Sequence, residues 1–195
     1  DYQLFPDNPR TRFGDIVLRC SGNDWSYTMF RDGMMQGLID QAADMDDQDF
    51  RPCLVYINGQ YFGIHNIREN NAEVKEGNDI AYQQLVAMLT SGVQSDASFA
   101  ALDAIADTRN FTDFIISQIF VANTSWGHNI SLVRNQSPTG RWRWLLHDYD
   151  RGFNVDNANG TAMDWATSLT GPEYSNPAWA TLFLRKMLEN EAFKQ

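Results

Sequence analysis

Cysteine and lysine are scarce in this chain, and no long apolar run crosses it. Only two cysteines occur, Cys20 and Cys53. They cannot build an all-thiolate zinc site or a disulfide framework, and leave open either one disulfide or two free thiols. The three lysines, Lys75, Lys186 and Lys194, all fall outside the early β-rich runs. Fifteen Lys and Arg stand against 25 Asp and Glu, a formal net charge of −10 with a pI near 4.6. That balance argues against a nucleic-acid backbone or an anionic membrane as the main partner. No apolar stretch approaches the ~20 residues needed to span a bilayer. What is present is a core: 43% hydrophobic residues, with six Trp and twelve Phe among the 195. Such a chain is too apolar for disorder and long enough for one packed domain. It begins at Asp1 without Met or a leader-like segment, and Leu182 to Gln195 reads as a helix stopped in mid-course. We therefore expect a truncated or partial domain.

Residues 1–14 are polar, with two prolines, and are expected to run irregularly along the surface. Asp15 to Cys20 is a short β-rich run that ends in a Ser-Gly-Asn-Asp turn cluster. Ser26 is placed to cap a helix running to about Ala43. The acidic stretch Asp44–Asp49 lacks the Gly and late Glu of an EF-hand and is expected to be a solvated loop. Pro52–Ile57 and Gln60–Ile67 flank Asn58-Gly59, the strongest short hairpin signal. Residues 79–106 predict two helices, the second capped by Asp96 or Ser98, and Thr112–Ala122 predicts a buried helix. Ser131–Arg134 and Arg141–Tyr149 read as strands around a Ser-Pro-Thr-Gly turn; residues 155–177 are loop-rich and then helical to the end. Strands early and again in the second half favour α+β over a doubly wound sheet.

Two segments carry chemistry. In Trp142-Arg-Trp-Leu-Leu-His-Asp-Tyr-Asp-Arg-Gly-Phe153, strand alternation would put Trp142, Trp144, Leu146, Asp148 and Asp150 on one face. Paired carboxylates repel unless a cation or a shared proton relieves them, and a hard divalent metal is the usual relief. A plain surface turn with Asp at its caps fits the same pattern. In Asn123-Thr-Ser-Trp-Gly-His-Asn129, a polar loop follows the apolar helix, as catalytic loops often do. Asn129 offers an amide oxygen and His128 an imidazole, while, judged alone, a capped helix end is the better explanation of both. Arg19 could grip phosphate or pair with an acid. Five Asn-x-Ser/Thr sequons occur, at Asn110, Asn123, Asn129, Asn135 and Asn159.

In this order the segments resemble the CotH (spore-coat protein H) kinase family. The resemblance runs over Leu18-Arg19-Cys-Ser-Gly22-Asn23-Asp24-Trp25, Phe30-Arg31-Asp32, the hairpin from Tyr56 to Arg68-Glu69, the Asn123 loop, and Trp142 to Phe153. It implies an atypical protein-kinase-like, two-lobed fold. The small lobe would lie at about 13–75 and the helical, catalytic lobe at about 76–195. It implies ATP and Mg²⁺ (or Mn²⁺) as cofactors and a protein Ser or Thr as the phosphate acceptor. Asp148, Asp150 and Asn129 would hold the metal; Arg19, with Asn23 and Glu69, would bind the nucleotide. With no lysine on an early strand, the phosphate grip falls to arginine. By the same analogy the protein would lie outside the cytoplasm, on a spore or cell surface.

One departure bears on activity. The family loop commonly reads Asn-Thr-Asp-Trp, with the Asp as catalytic base, and here Ser125 stands at that place. A neutral hydroxyl does not orient or take up a proton as a carboxylate does. His128 is the alternative base in the same loop. The competing reading is a catalytically silent pseudokinase serving as a structural or interaction module. A two-carboxylate glycosidase ranks below both, because its acids would face each other across a cleft rather than sit two residues apart.

Overall fold

The computed structural model describes residues 2–69, 79–153, 162–169 and 178–195. Three strands, β1 (Ile16–Arg19), β2 (Phe50–Ile57) and β3 (Gln60–Glu69), form an antiparallel sheet in the order β1-β3-β2. The β2–β3 connection is the predicted hairpin. Asn58 and Gly59 take φ of 52° and 79°, the left-handed pair that a two-residue turn of matching twist requires. Helix α1 (Arg31–Asp40) lies between β1 and β2 in sequence. The second half holds α2 (Ile80–Ser91), α3 (Asp96–Asp103), α4 (Thr108–Phe120), the hairpin β4 (Ser131–Arg134) and β5 (Trp142–Leu145), α5 (Met163–Thr167) and α6 (Leu182–Met187). The class is α+β, as the residue pattern predicts. The expected lobe boundary near residues 75–76 falls outside the described residues, as do much of the loop-rich stretch and Asn159.

The core sits around α4. Phe111 and Phe114 are buried on one side of this helix, and Phe111 meets Trp144 of β5 at 4.8 Å and Phe183 of α6 at 4.3 Å between ring centres. Trp144 and Phe183 close the triangle at 4.7 Å. Edge-on aromatic contacts of this kind add stabilisation beyond their buried area. Trp144 is thus a core residue, and the half-buried Trp142 packs against the core. The buried amide of Asn110 ties α4 to β5: its Oδ1 accepts the Trp144 N–H at 2.7 Å. Asn110 and Asn123 are both buried, so a glycan on either would be incompatible with this packing.

Several expectations shift. Helix α1 starts at Arg31, five residues after Ser26, because Met29 adopts φ of 64° and breaks the helical path. Ser95 caps α3 in a reciprocal box with Ser98, so neither Asp96 nor Ser98 is the cap. Helix α4 begins four residues early, where Asp107 accepts the Asn110 N–H, and leaves Ile116 and Phe120 exposed. The acidic loop is not merely solvated, since Met45 is buried and Arg143 bonds Asp44 and Asp46. Helix α6 ends at Met187, with turns following it, rather than running on to the last residue. The first residues do cross the surface irregularly, but Phe5 is buried against Phe13.

Candidate functional site

Strand β5 ends at Leu145, so alternation along a strand does not place the acid pair. Asp148 instead turns through the left-handed region at φ of 57°. The segment is held from several sides. Leu146 N–H donates to Asp46 O, the Tyr149 hydroxyl shares a hydrogen bond with Ser117 Oγ, and Tyr149 N–H donates to Asp32 at 2.7 Å. Burial pushes the Tyr149 phenol above its ordinary range, so it stays a neutral partner for Ser117. Beyond the acids, the buried Arg31 donates to the carbonyls of Gly152 and Phe153 at 2.7 and 2.9 Å while its Nε holds Asp24 at 3.1 Å. Burial alone would raise the Asp24 carboxyl; hydrogen bonds from Thr28 and Arg31 outweigh it and hold the acid below its usual range.

Arg19, at the end of β1, brings the two acids together. Its Nη2 is ion-paired with Asp148 Oδ1 and lies 3.5 Å from Asp150 Oδ2, and its Nη1 lies 3.6 Å from Asp32. Asp150 also accepts the backbone N–H of Asn23 at 2.7 Å and the Asn23 amide at 3.3 Å. That approach depends on Gly22. At φ of 56° it takes a conformation L residues resist, and a Cβ there would overlap Asp150 Oδ2. Burial and then the neighbouring Asp148 raise the Asp150 carboxyl, as expected of crowded acids.

The loop after α4 clasps the other side. Asn129 Nδ2 donates to Asp148 Oδ2 at 2.9 Å, and Asn123 Nδ2 donates to the Asp148 carbonyl at 3.2 Å. Asn123 Oδ1 in turn accepts both the N–H and the hydroxyl of Ser125 at 3.1 Å. Ser125 is buried, and this bond directs its hydroxyl to the loop itself. His128 is exposed in the short 3₁₀ turn Trp126–His128.

Of the sequence-derived candidates, Arg19, Asn23, Asn129, Asp148 and Asp150 therefore converge. Glu69 does not join them: it is ion-paired with Arg10 at the far end of β3. Burial, together with Asp49, lifts its carboxyl while Arg10 opposes the shift. Asp32 and Arg68, which lie in the CotH-like segments, were given no role from the sequence. Both are buried, ion-paired to each other and adjacent to Arg19, with Arg68 lowered to about 10 by burial and by that neighbouring guanidinium. The available signal was only their place in the Arg31-Asp32 and Arg68-Glu69 segments of the CotH resemblance.

The donors fit a hard cation only in part. Among the described residues no group of three or more His, Cys, Asp and Glu side chains is arranged to hold a metal. Two carboxylates and an amide are what Mg²⁺ takes from a protein when phosphate and water complete its shell. The acid crowding felt by Asp150 is the kind such a cation relieves.

The model of the CotH kinase protein family matches residues 2–73 and 70–195, almost the whole chain. The chain belongs to this family. No curated protein and no solved structure matches it significantly. The CotH segments named from the sequence are those that build the cluster: the turn after β1, the start of α1, the end of β3, the Asn123 loop and the acid pair. No helix among the described residues is long and apolar enough to cross a membrane.

Proposed function

We propose that this CotH-family chain binds ATP with Mg²⁺ or Mn²⁺ in a two-lobed, kinase-like arrangement. It would transfer the γ-phosphoryl group to Ser or Thr of an exported or surface protein. The observation that carries this reading is the convergence of Arg19, Asn23, Asn129, Asp148 and Asp150 from three distant stretches of sequence onto one point. Phosphoryl transfer is mainly positioning and charge neutralisation, and the cluster supplies acids for a metal and a guanidinium for phosphate. When bound, the metal would neutralise phosphate charge; Asp148 and Asp150, with Asn129, would hold it. Arg19 would grip phosphate oxygens, and the Asn23 N–H would keep Asp150 in place. On the same side of the sheet as Arg19, the cross-strand partners Leu54 and Ile64 are exposed and offer an apolar shelf for a base.

A second reading rests on Ser125. Its hydroxyl is buried and bonded to Asn123, so no carboxylate stands at the family's base position. A pseudokinase that binds nucleotide without transferring phosphate fits that geometry. Thermal melting with ATP, with and without Mg²⁺ or Mn²⁺, separates binding from silence. A metal-dependent rise in midpoint that Asp148→Ala abolishes is expected. No rise in the folded wild-type protein refutes nucleotide binding. Phosphate transfer to a generic protein substrate then decides between the readings. Transfer by wild type requires another base, for which His128 is the candidate. Gain of transfer in Ser125→Asp would place the defect at this one residue.

A further inference from the structure

A single nitrogen of Arg19 lies between the two acids of the pair. Its Nη2 contacts one oxygen of Asp148 and one of Asp150, while Nη1 faces Asp32. Three carboxylates and two guanidiniums form this cluster, and Asp32 is already committed to the buried Arg68. Arg19 is therefore the counter-ion of the acid pair. We propose that Arg19 and a divalent metal compete for the same carboxylate oxygens. Metal binding then displaces the guanidinium, which swings from the acids to the nucleotide phosphate. This rests on the nucleotide reading above and gives its site a built-in order of assembly.

The argument is one of charge and geometry. A +2 ion held by Asp148 and Asp150 would repel an arginine nitrogen kept against the same carboxylates, because like charges at such short range repel strongly in a part-buried site. Arg19 is the most exposed of the buried ion-pair network, at 23% for its side chain, and keeps Asp32 beside Nη1. It has both room to move and a partner to pivot on. Metal alone must displace a cation that then has no phosphate to meet; nucleotide alone must draw Arg19 from acids left unpaired. Together each removes the other's cost, which is thermodynamic coupling between the two ligands.

The test is calorimetric titration of Mn²⁺ alone, and of Mn²⁺ with a non-hydrolysable ATP analogue, into wild type, Arg19→Gln and Arg19→Lys. Removing the internal cation should tighten binding of Mn²⁺ alone roughly tenfold and weaken binding of the Mn²⁺–nucleotide complex. Arg19→Lys retains a positive charge and should fall between, which keeps the test decisive if the Gln variant does not fold. A purely structural role would weaken both ligands together. Equal or weaker Mn²⁺ binding by folded variants overturns the exchange while leaving the nucleotide reading intact. Failure of wild type and variants to bind Mn²⁺ even with the analogue overturns both.

Discussion

Replacing Asp32 probes the network beneath the acid pair most directly. Its carboxylate receives the Arg68 guanidinium, the Gln36 amide at 2.9 Å and the Tyr149 N–H at 2.7 Å. Asp32→Ala leaves Arg68 charged, 3% exposed and without its ion-pair partner. Breaking a buried pair from one side costs about 3–5 kcal/mol, most of it the penalty on the charge left behind. The orphaned Tyr149 N–H costs about 1–3 kcal/mol more unless water reaches it. We expect a loss of at least about 4 kcal/mol in urea unfolding, a large part of the ~5–15 kcal/mol available to a domain. Asp32→Asn should lose less, since an amide oxygen still accepts from Tyr149. Arg68→Met alone leaves Asp32 near Arg19, so it should cost less than Asp32→Ala. The double variant should be more stable than the sum of the single losses by about 1–3 kcal/mol. An Asp32→Ala loss under 1 kcal/mol, or strict additivity, would refute this account of the buried pair.

Two further predictions follow from other parts of the molecule. Gly22→Ala forces a Cβ onto Asp150 in a left-handed backbone, and should cost about 1–2 kcal/mol by unfolding while reducing Mn²⁺–nucleotide binding at least several-fold; unchanged binding would detach Gly22 from the site. Asp47 is raised to about 6 from 3.8, by burial and then by Asp40, Asp49 and Glu69. The folded state therefore holds this proton more tightly than the unfolded chain, and its contribution to stability is lost as pH rises from about 4 to about 6. Asp47→Asn should lack that loss and be more stable than wild type at pH 7 by about 1–2 kcal/mol, after solvent screening is allowed for. Parallel stability–pH curves for the two proteins would rule the effect out.

How far the sequence foretold the fold depended on whether the signal was local. Asn58-Gly59 specifies its own turn, so the hairpin was legible before any tertiary contact was known. Aromatic residues at α4 and β5 announced a core, and the triangle of Phe111, Trp144 and Phe183 delivers it. The start of helix α1 was misplaced by four residues because Met29 pays for its φ of 64° with contacts outside the local helical pattern. Its carbonyl accepts from both Ser21 Oγ and Asn66 Nδ2.

The site shows the same division. Asp-x-Asp was visible as a pair, but the stated reason for its convergence, strand alternation, does not operate past Leu145. What joins the acids is Arg19, 129 residues earlier, and the Asn23 N–H freed by Gly22. The sequence left open whether Arg19 grips phosphate or pairs with an acid. The structure gives it acid partners, and the exchange proposed above would make the two roles successive states of one side chain. Asp32 and Arg68 were given no role in the site for a related reason. Each looks like a solvated charge until β3 and α1 are packed together, and only burial turns such a pair into a constraint on the backbone that carries Asp148 and Asp150. The chemistry of this chain is thus written in types of residue, and its geometry in long-range pairings between charges of opposite sign.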